Sequence, residues 1–538
     1  MLTLPLDPTD DRAAPAFRDR ATCSQWLGQL QLTNLQQAQA TLRTQLDEFN
    51  RYPMRGLERM RTLELLGETV GHVQHDYARK LMAKSLPLNA AELAILESIV
   101  ALWQGMVTGY QRCLQAYVAG DQQLVPHGAL LCHRCLNYSG LQILEHLQAG
   151  YEFDGALWQQ LHALYAFAEE QELQLVAVKN EPSATNAGQS SCRTAYLKLL
   201  LICHAHPFEL SRSQLHTLDR WLSLWSDSLA IEHDCMVSRG EAPPLVVDLD
   251  SAQGLQPLPH AVSGKGNLRY LPMVPMSKLL RVKTILLQQG QSPQQLELGA
   301  SGKAEECAEF LGQLHRYWCE ARPERRMERV SAGHEILACY EIEAIYSQIA
   351  KKPFRAKQKG SGSIDMARNQ IATFGRVLSD TGKHHDLAAL GYIQETWITE
   401  DVNILGARML RQDTDGVRLK ARQLVATHAA DAACCTLGVI SWINVTRNGQ
   451  LHAGIRYLPG TPQAVAVKTP KSTTASAALL LPAMPELGIP ASLIVPRNLF
   501  EAGGALEIVQ AKNEKKNVKM GISVEKGMDY ERVSFVES

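Results

Sequence analysis

The sequence predicts an α+β chain of several domains: an N-terminal α-helical array, then a C-terminal antiparallel β-barrel, then a β-rich tail. Three observations carry this. At 538 residues the chain is too long for one ordinary core. From about Ser24 to Glu320 apolar residues recur with helical period. Beyond about residue 394 they fall in short β-rich runs separated by turn signals.

The elements follow in order. Residues 1–23 form a flexible start, and residues 24–320 a helical interaction domain. Leu157, Leu161, Leu164 and Phe167 make one apolar stripe, and Leu215, Leu218, Leu222 and Trp225 another. Ala90–Ala119 reads as a long helix interrupted only by Gly105 and Gly109. Phe310, Leu311, Leu314 and Trp318 share a face just before residue 320. Loops fall at Ala119–Asp121, Lys179–Ser191 and Ser238–Gly266. Paired short helices suit a solenoid-like array, and without a fixed period an irregular bundle fits equally.

Val330–Ile349 reads as extended. A basic Gly/Ser stretch, Lys351–Ser363, and a helical-looking Ile364–Leu378 then form an insertion over about 350–394. Strands are expected within Arg418–His428, Thr436–Val445, Leu451–Leu458 and Ala464–Lys468, with Asn448-Gly449 as a type I′ hairpin turn. Residues 469–538 hold five more β-rich runs, Ala477–Leu481 to Arg532–Val536. They either pack on the barrel or close a second small barrel beside it.

Two short motifs carry chemistry. Arg325 and Arg329 stand four apart, with Arg322 and Arg326 as a second register. Downstream, Asp401, Asn403 and Gly406 form an Asp-x-Asn-x-x-Gly turn. A guanidinium fork donates two parallel hydrogen bonds to the O6/N7 edge of guanine, or grips a phosphate the same way. An aspartate accepts from guanine N1 and N2, and a glycine lets backbone approach a flat base. Together the motifs resemble the two signatures of the PilZ domain, Arg-x-x-x-Arg and Asp/Asn-x-Ser-x-x-Gly. Leu437–Trp442 and Gly454–Leu458 look like that barrel's closing hairpin.

The resemblance implies a small β-barrel over residues 321–468 that binds cyclic di-GMP through Arg322, Arg325, Arg326, Arg329, Asp401, Asn403 and Gly406. Two departures stand out. Asn403 replaces the usual Ser, and the insertion separates the motifs more widely than in a minimal PilZ domain. By analogy of architecture, long chains joining a helical part to a PilZ domain resemble bacterial receptors tied to surface attachment, type IV pili and motility.

Other classes find less support. A net charge of −1 gives no support for general nucleic-acid binding. No apolar run reaches the length of a membrane span, and the start lacks a signal sequence, so the cytoplasm is expected. The 12 cysteines read as small buried hydrophobes. Cys132-His133-Arg134-Cys135 has metal spacing but no second Cys pair, so no metal is expected. Ser263-Gly264-Lys265-Gly266 lacks phosphate-loop spacing, and His384-His385-Asp386 reads as solvated loop. Signalling, not catalysis, is therefore expected: a cytosolic cyclic di-GMP receptor with an unidentified protein partner, no cofactor, no DNA or RNA, and no membrane span. The rival is a helical scaffold or pilus-assembly adaptor whose degenerate barrel binds no nucleotide.

Overall fold

A computed structural model describes every residue except 1, 5, 83, 180–187, 235–240, 259–265, 300–301, 321–329, 355–391, 413–415, 430–431, 433, 511–513 and 538. The chain forms two compact units. The first comprises Met1–Lys84 and Leu88–Arg325, the second Ser85–Pro87 and Arg326–Ser538. All the arginines of the Arg-x-x-x-Arg segment, Arg322, Arg325, Arg326 and Arg329, lie outside the described residues, as do His384-His385-Asp386 and Ile364–Leu378.

The first unit is mainly helical among its described residues. Its helices are α1 (Arg20–Gln29), α2 (Leu35–Arg51), α3 (Gly56–Ala78), α4 (Ala90–Val118), α5 (Gly128–Ala149), α6 (Gly155–Glu170), α7 (Cys192–His204), α8 (Arg212–Trp225), α9 (Val274–Gln288) and α10 (Ala304–Cys319). Polar caps start several of them. Asn89 and Glu92 exchange bonds in a capping box at α4, and Ser211 and Gln214 do the same at α8.

Helix α4 is long and apolar enough to cross a membrane by length and composition. It packs instead against α2, α3 and α5, burying Leu96, Ile99, Leu102, Met106, Val107 and Tyr110. Gly105 and Gly109 do not interrupt it. They are where neighbouring helices come close: Leu46 lies against Gly105, Leu63 against Gly109. Asn50 also donates to the Gly105 carbonyl at 2.8 Å. The stripe on α8 is core, as are Leu161, Leu164 and Phe167 on α6 and Phe310, Leu311, Leu314 and Trp318 on α10, while Leu157 is only partly buried.

One expected loop contains a sheet. Within residues 238–266, β3 (Leu245–Asp248) pairs with β4 (Gln256–Pro257), and then with β5 (Leu268–Leu271). Leu245, Val246 and Val247 are buried, but a run this short is masked by Pro243-Pro244 before it. The loop at 179–191 likewise begins and ends in a two-residue pairing, β1 (Val178–Lys179) with β2 (Gln189–Ser190).

The second unit holds two closed antiparallel barrels. The first, in spatial order β10-β11-β8-β7-β6-β9, uses β6 (Val330–Tyr340), β7 (Gln394–Asn403), β8 (Gly406–Arg411), β9 (Leu424–His428), β10 (Thr436–Val445) and β11 (Leu451–Tyr457). The second, β12-β13-β14-β17-β16-β15, uses β12 (Gln463–Lys468), β13 (Ser476–Leu481), β14 (Ser492–Pro496), β15 (Ala505–Val509), β16 (Lys515–Lys526) and β17 (Tyr530–Glu537).

Three expectations are corrected here. The segment 464–468 belongs to β12 and the second barrel, where it pairs with β13 and β15. Residues 342–349 are not extended: α11 (Ile342–Ala350) follows β6, because Ile342, Ile345, Tyr346 and Ile349 repeat at helical spacing. The Asn448-Gly449 turn is not type I′, since only Gly449 takes a positive φ, of 79°. The Gly449 amide donates to the Thr446 carbonyl at 2.9 Å, giving a three-residue loop closed by a left-handed glycine.

The tail does both things expected as alternatives. It closes its own barrel around Val465, Val467, Leu493, Leu506, Val518 and Val533. It also packs on the first barrel through a shared core of α11, Leu424, Leu437, Val439, Leu479, Ile494 and Tyr530. Between the barrels, the Leu424 amide donates to Asp529 at 3.0 Å and the Met528 amide to the Arg422 carbonyl at 2.8 Å. Ser85–Pro87 completes this unit. Leu86 and Leu419 exchange backbone bonds of 2.8 and 2.7 Å, and Arg418 donates to the Ser85 carbonyl at 2.8 Å.

The glycine contacts yield a test in the helical unit. A methyl at Gly109 meets both Leu63 δ-methyls at 2.9 Å and Asn50 Oδ1 at 3.0 Å, and Leu63 is fully buried. Gly109→Ala should therefore lose about 1–3 kcal/mol through overpacking. Gly28, in α1 with nothing within 4 Å of the same position, is the control. Gly28→Ala should gain about 0.5–1 kcal/mol from backbone entropy. Denaturant unfolding followed by helical circular dichroism separates the two, and equal shifts would refute the close approach.

Candidate functional site

The Asp401–Gly406 motif is the hairpin joining β7 to β8. Asn403 faces Gly406 across the turn, and its Oδ1 accepts from the amides of Leu405 and Gly406, each at 3.0 Å. Asn thus supplies the local acceptor that an Asx turn requires. Ile404 and Leu405 stand exposed at its tip, while the Leu405 carbonyl is held by the Tyr457 amide at 2.9 Å. A β-carbon at Gly406 would run into the Ile455 carbonyl of β11. Gly406 is therefore required by the close approach of a strand, not by a positive φ.

The strands present these residues through two breaks in alternation. In a regular strand Thr399 and Asp401 would point to the same side. Thr399 is buried inside opposite Met409, but the register shifts before Asp401, which lies opposite Arg408. Arg408 is exposed on the outer face, so the bulge turns Asp401 outward. The same happens on β10: Ile440 is buried opposite Ile455, the register shifts, and Trp442 lies opposite Gly454.

Two cross-strand rows result, because directly opposed residues share a face. One runs Asp401, Arg408, Gly454, Trp442. The other runs Asn403, Gly406, Arg456. Gly454 leaves room for its neighbour, and the Trp442 indole occupies the space a β-carbon there would take. Arg408 and Arg456 are exposed, at 45% and 46%, and Trp442 is partly buried.

The charges on this face are arranged in pairs. Arg408 Nε meets Glu400 at 2.6 Å, and its Nη2 lies 3.2 Å from His452 Nδ1. An arginine only donates, so that bond requires His452 Nδ1 to accept. Arg456 pairs with Glu525 of β16, which also accepts from the Tyr530 hydroxyl at 2.9 Å. Arg411, by contrast, is consumed inside the barrel. It meets Glu395 at 2.8 Å and the Val417 carbonyl at 2.8 Å. Tyr340 donates to Glu395 at 2.9 Å and accepts from Trp397 Nε1 at 2.8 Å, and burial pushes its phenol well above the usual range.

Elsewhere the chemistry is structural. Cys132 and Cys135 are buried on α5, and burial pushes the Cys132 thiol up to about 12. No group of three or more His, Cys, Asp or Glu among the described residues could hold a metal. A cavity of about 540 Å³ opens on the second barrel, lined by Thr469, Lys471, Arg497, Glu501 and Met520 among others, and shares no residue with the Asp401 face.

Of the site residues expected from sequence, Asp401, Asn403 and Gly406 come together on one hairpin. Arg408, Trp442 and Arg456, which share their face, were not singled out by sequence. They sit in ordinary strand segments, and the cross-strand register, with the bulge on β10 for Trp442, brings them onto one face.

Known proteins supply the wider frame. Residues 20–234 match the domain described as the cyclic-di-GMP receptor FimW N-terminal domain, and residues 464–538 match the FimW C-terminal β-barrel domain. These correspond to helices of the first unit and to the second barrel. The cyclic-di-GMP receptor FimW of Pseudomonas aeruginosa is 22% identical over 534 residues, covering 92% of this chain and 86% of that protein. No solved structure matches. With both FimW domains present in order, one towards each end, the chain belongs to the FimW family of cyclic-di-GMP receptors.

Proposed function

We propose that this protein is a cytosolic receptor that binds cyclic di-GMP on the outer face of its first barrel and passes the signal on through its helical unit. One observation carries the reading. The arginine segment leads directly into β6, whose first residues pair with the motif strand, Val330 with Val402 and Ser331 with Asp401. The strand that follows the arginine segment in sequence therefore runs beside the strand that carries Asp401. The family supports the ligand.

Each residue type has a role. Arg325 and Arg329, assisted by Arg322 and Arg326, supply charge-assisted forks for guanine edges and phosphates. Asp401 accepts from guanine N1–H and N2–H, held outward by its bulge. Asn403 and Gly406 fix the turn. The Trp442 indole offers a flat apolar surface in the same row, suited to stacking a base. The output is to attachment, type IV pilus or motility machinery. That link rests on the analogy of a helical part joined to such a barrel.

Calorimetric titration of the full chain with cyclic di-GMP tests the reading. Arg325→Ala, Arg329→Ala and Asp401→Ala should each cost about 1–3 kcal/mol, or about ten- to hundredfold in affinity, with apo melting nearly unchanged. Asp401→Ala should also lose discrimination against cyclic di-AMP. Wild-type binding weaker than about millimolar refutes the receptor reading and leaves the scaffold role.

Trp442 provides a second measurement. Cyclic di-GMP should quench indole emission in the wild type, and the quench should shrink in Trp442→Phe while affinity largely holds. Trp442→Ala should weaken binding by about 1–3 kcal/mol, the usual worth of a stacked base. Full affinity in Trp442→Ala would remove the indole from the site.

A further inference from the structure

Arg456 stands where the candidate face meets the second barrel. It lies directly opposite Gly406, the last residue of the turn motif, so no side chain separates it from the hairpin. Its row continues to Asn403. Its guanidinium pairs with Glu525, a residue of β16 in the other barrel, and the pair is partly exposed, at 46% and 24%. Glu525 lies next to a break in the β16–β17 register, opposite Arg532. It also accepts from the Tyr530 hydroxyl at 2.9 Å.

We propose that Arg456 is a further ligand-binding residue, gripping a phosphate of the dinucleotide, and that Glu525 competes with that phosphate for it. The second barrel thereby sets the affinity of the first and registers its occupancy. This rests on the cyclic di-GMP reading above.

Energetics favour the exchange. A partly exposed ion pair is weakly held, whereas a phosphodiester presents two oxygens to the guanidinium fork. Glu525 loses little on release, since Tyr530 still donates to it and Arg532 remains opposite. A purely structural bond would show the reverse economy: removing Glu525 would loosen the barrels and gain nothing for ligand.

The two partners should therefore respond in opposite directions. In titrations of the full chain with cyclic di-GMP, Arg456→Ala should bind about tenfold or more weakly. Arg456→Lys, which keeps a point charge but loses the fork, should fall in between. Glu525→Gln, of the same shape, should bind about two- to fivefold more tightly than wild type. Wild-type affinity in Arg456→Ala, or no tightening in Glu525→Gln with an unchanged melting curve, overturns the competition. Should Glu525→Gln melt early, hydrogen exchange in the wild type decides. Ligand should alter protection of the amides of residues 522–526, and no change there overturns the proposal. If the wild type binds and Arg325→Ala weakens it while Arg456→Ala does not, only this inference fails. If the wild type does not bind, the receptor reading fails with it.

Discussion

A β-strand sends its side chains alternately to the two faces of a sheet, and the first barrel breaks that rule around Glu400 and Ser441. Each break costs a strand its regular pairing for one residue. Each returns a residue to the outside that parity would have buried. Without the first, Asp401 would follow Thr399 inward. Without the second, Trp442 would follow Ile440 into the barrel. The proposed ligand face therefore depends on two local irregularities in pairing, one at each end of a single row.

The rest of the barrel is arranged so that those irregularities are tolerated. The interior opposite the bulges is filled by Thr399, Met409, Ile440 and Ile455, all buried. Farther along, Arg411 and Glu395 are paired inside, with Tyr340 and Trp397 supplying further bonds. A buried pair of this kind contributes little net stability but is costly to break, so it specifies which face of β8 turns inward. Arg408 and Arg411, three residues apart on one strand, thus have opposite fates: one exposed, one enclosed.

Much of this was legible in the sequence, for physical reasons that differ by element. The helical stripes on α6, α8 and α10 could be read because burying a face demands apolar residues at a fixed period. The Asp401–Gly406 hairpin could be read because a tight turn restricts its residue types. Helix α11 reads as strand in the sequence because its nine residues make only about two and a half turns, too few to outweigh the β-branched isoleucines. Strand β12 reads as part of the first barrel because neighbours in sequence are the default neighbours in space, and closure around Val465 and Val467 overrides that default. The bulges left no mark at all: neither Glu400 nor Ser441 is a residue that irregular pairing requires. Arg408, Trp442 and Arg456 became visible as a set only once the register was known.

Ser85–Pro87 carries a consequence for how this architecture can be inherited. The barrel unit is discontinuous: three residues from between α3 and α4 supply Leu86, whose two backbone bonds to Leu419, with the bond from Arg418 to Ser85, belong to that unit's own structure. A gene segment encoding residues 326–538 alone would transplant the barrels without that piece of their own edge. The donor and acceptor of Leu419 would then have to find water or another chain. The two units are thus poor cassettes for recombination, and descent is expected to have kept them together as one gene.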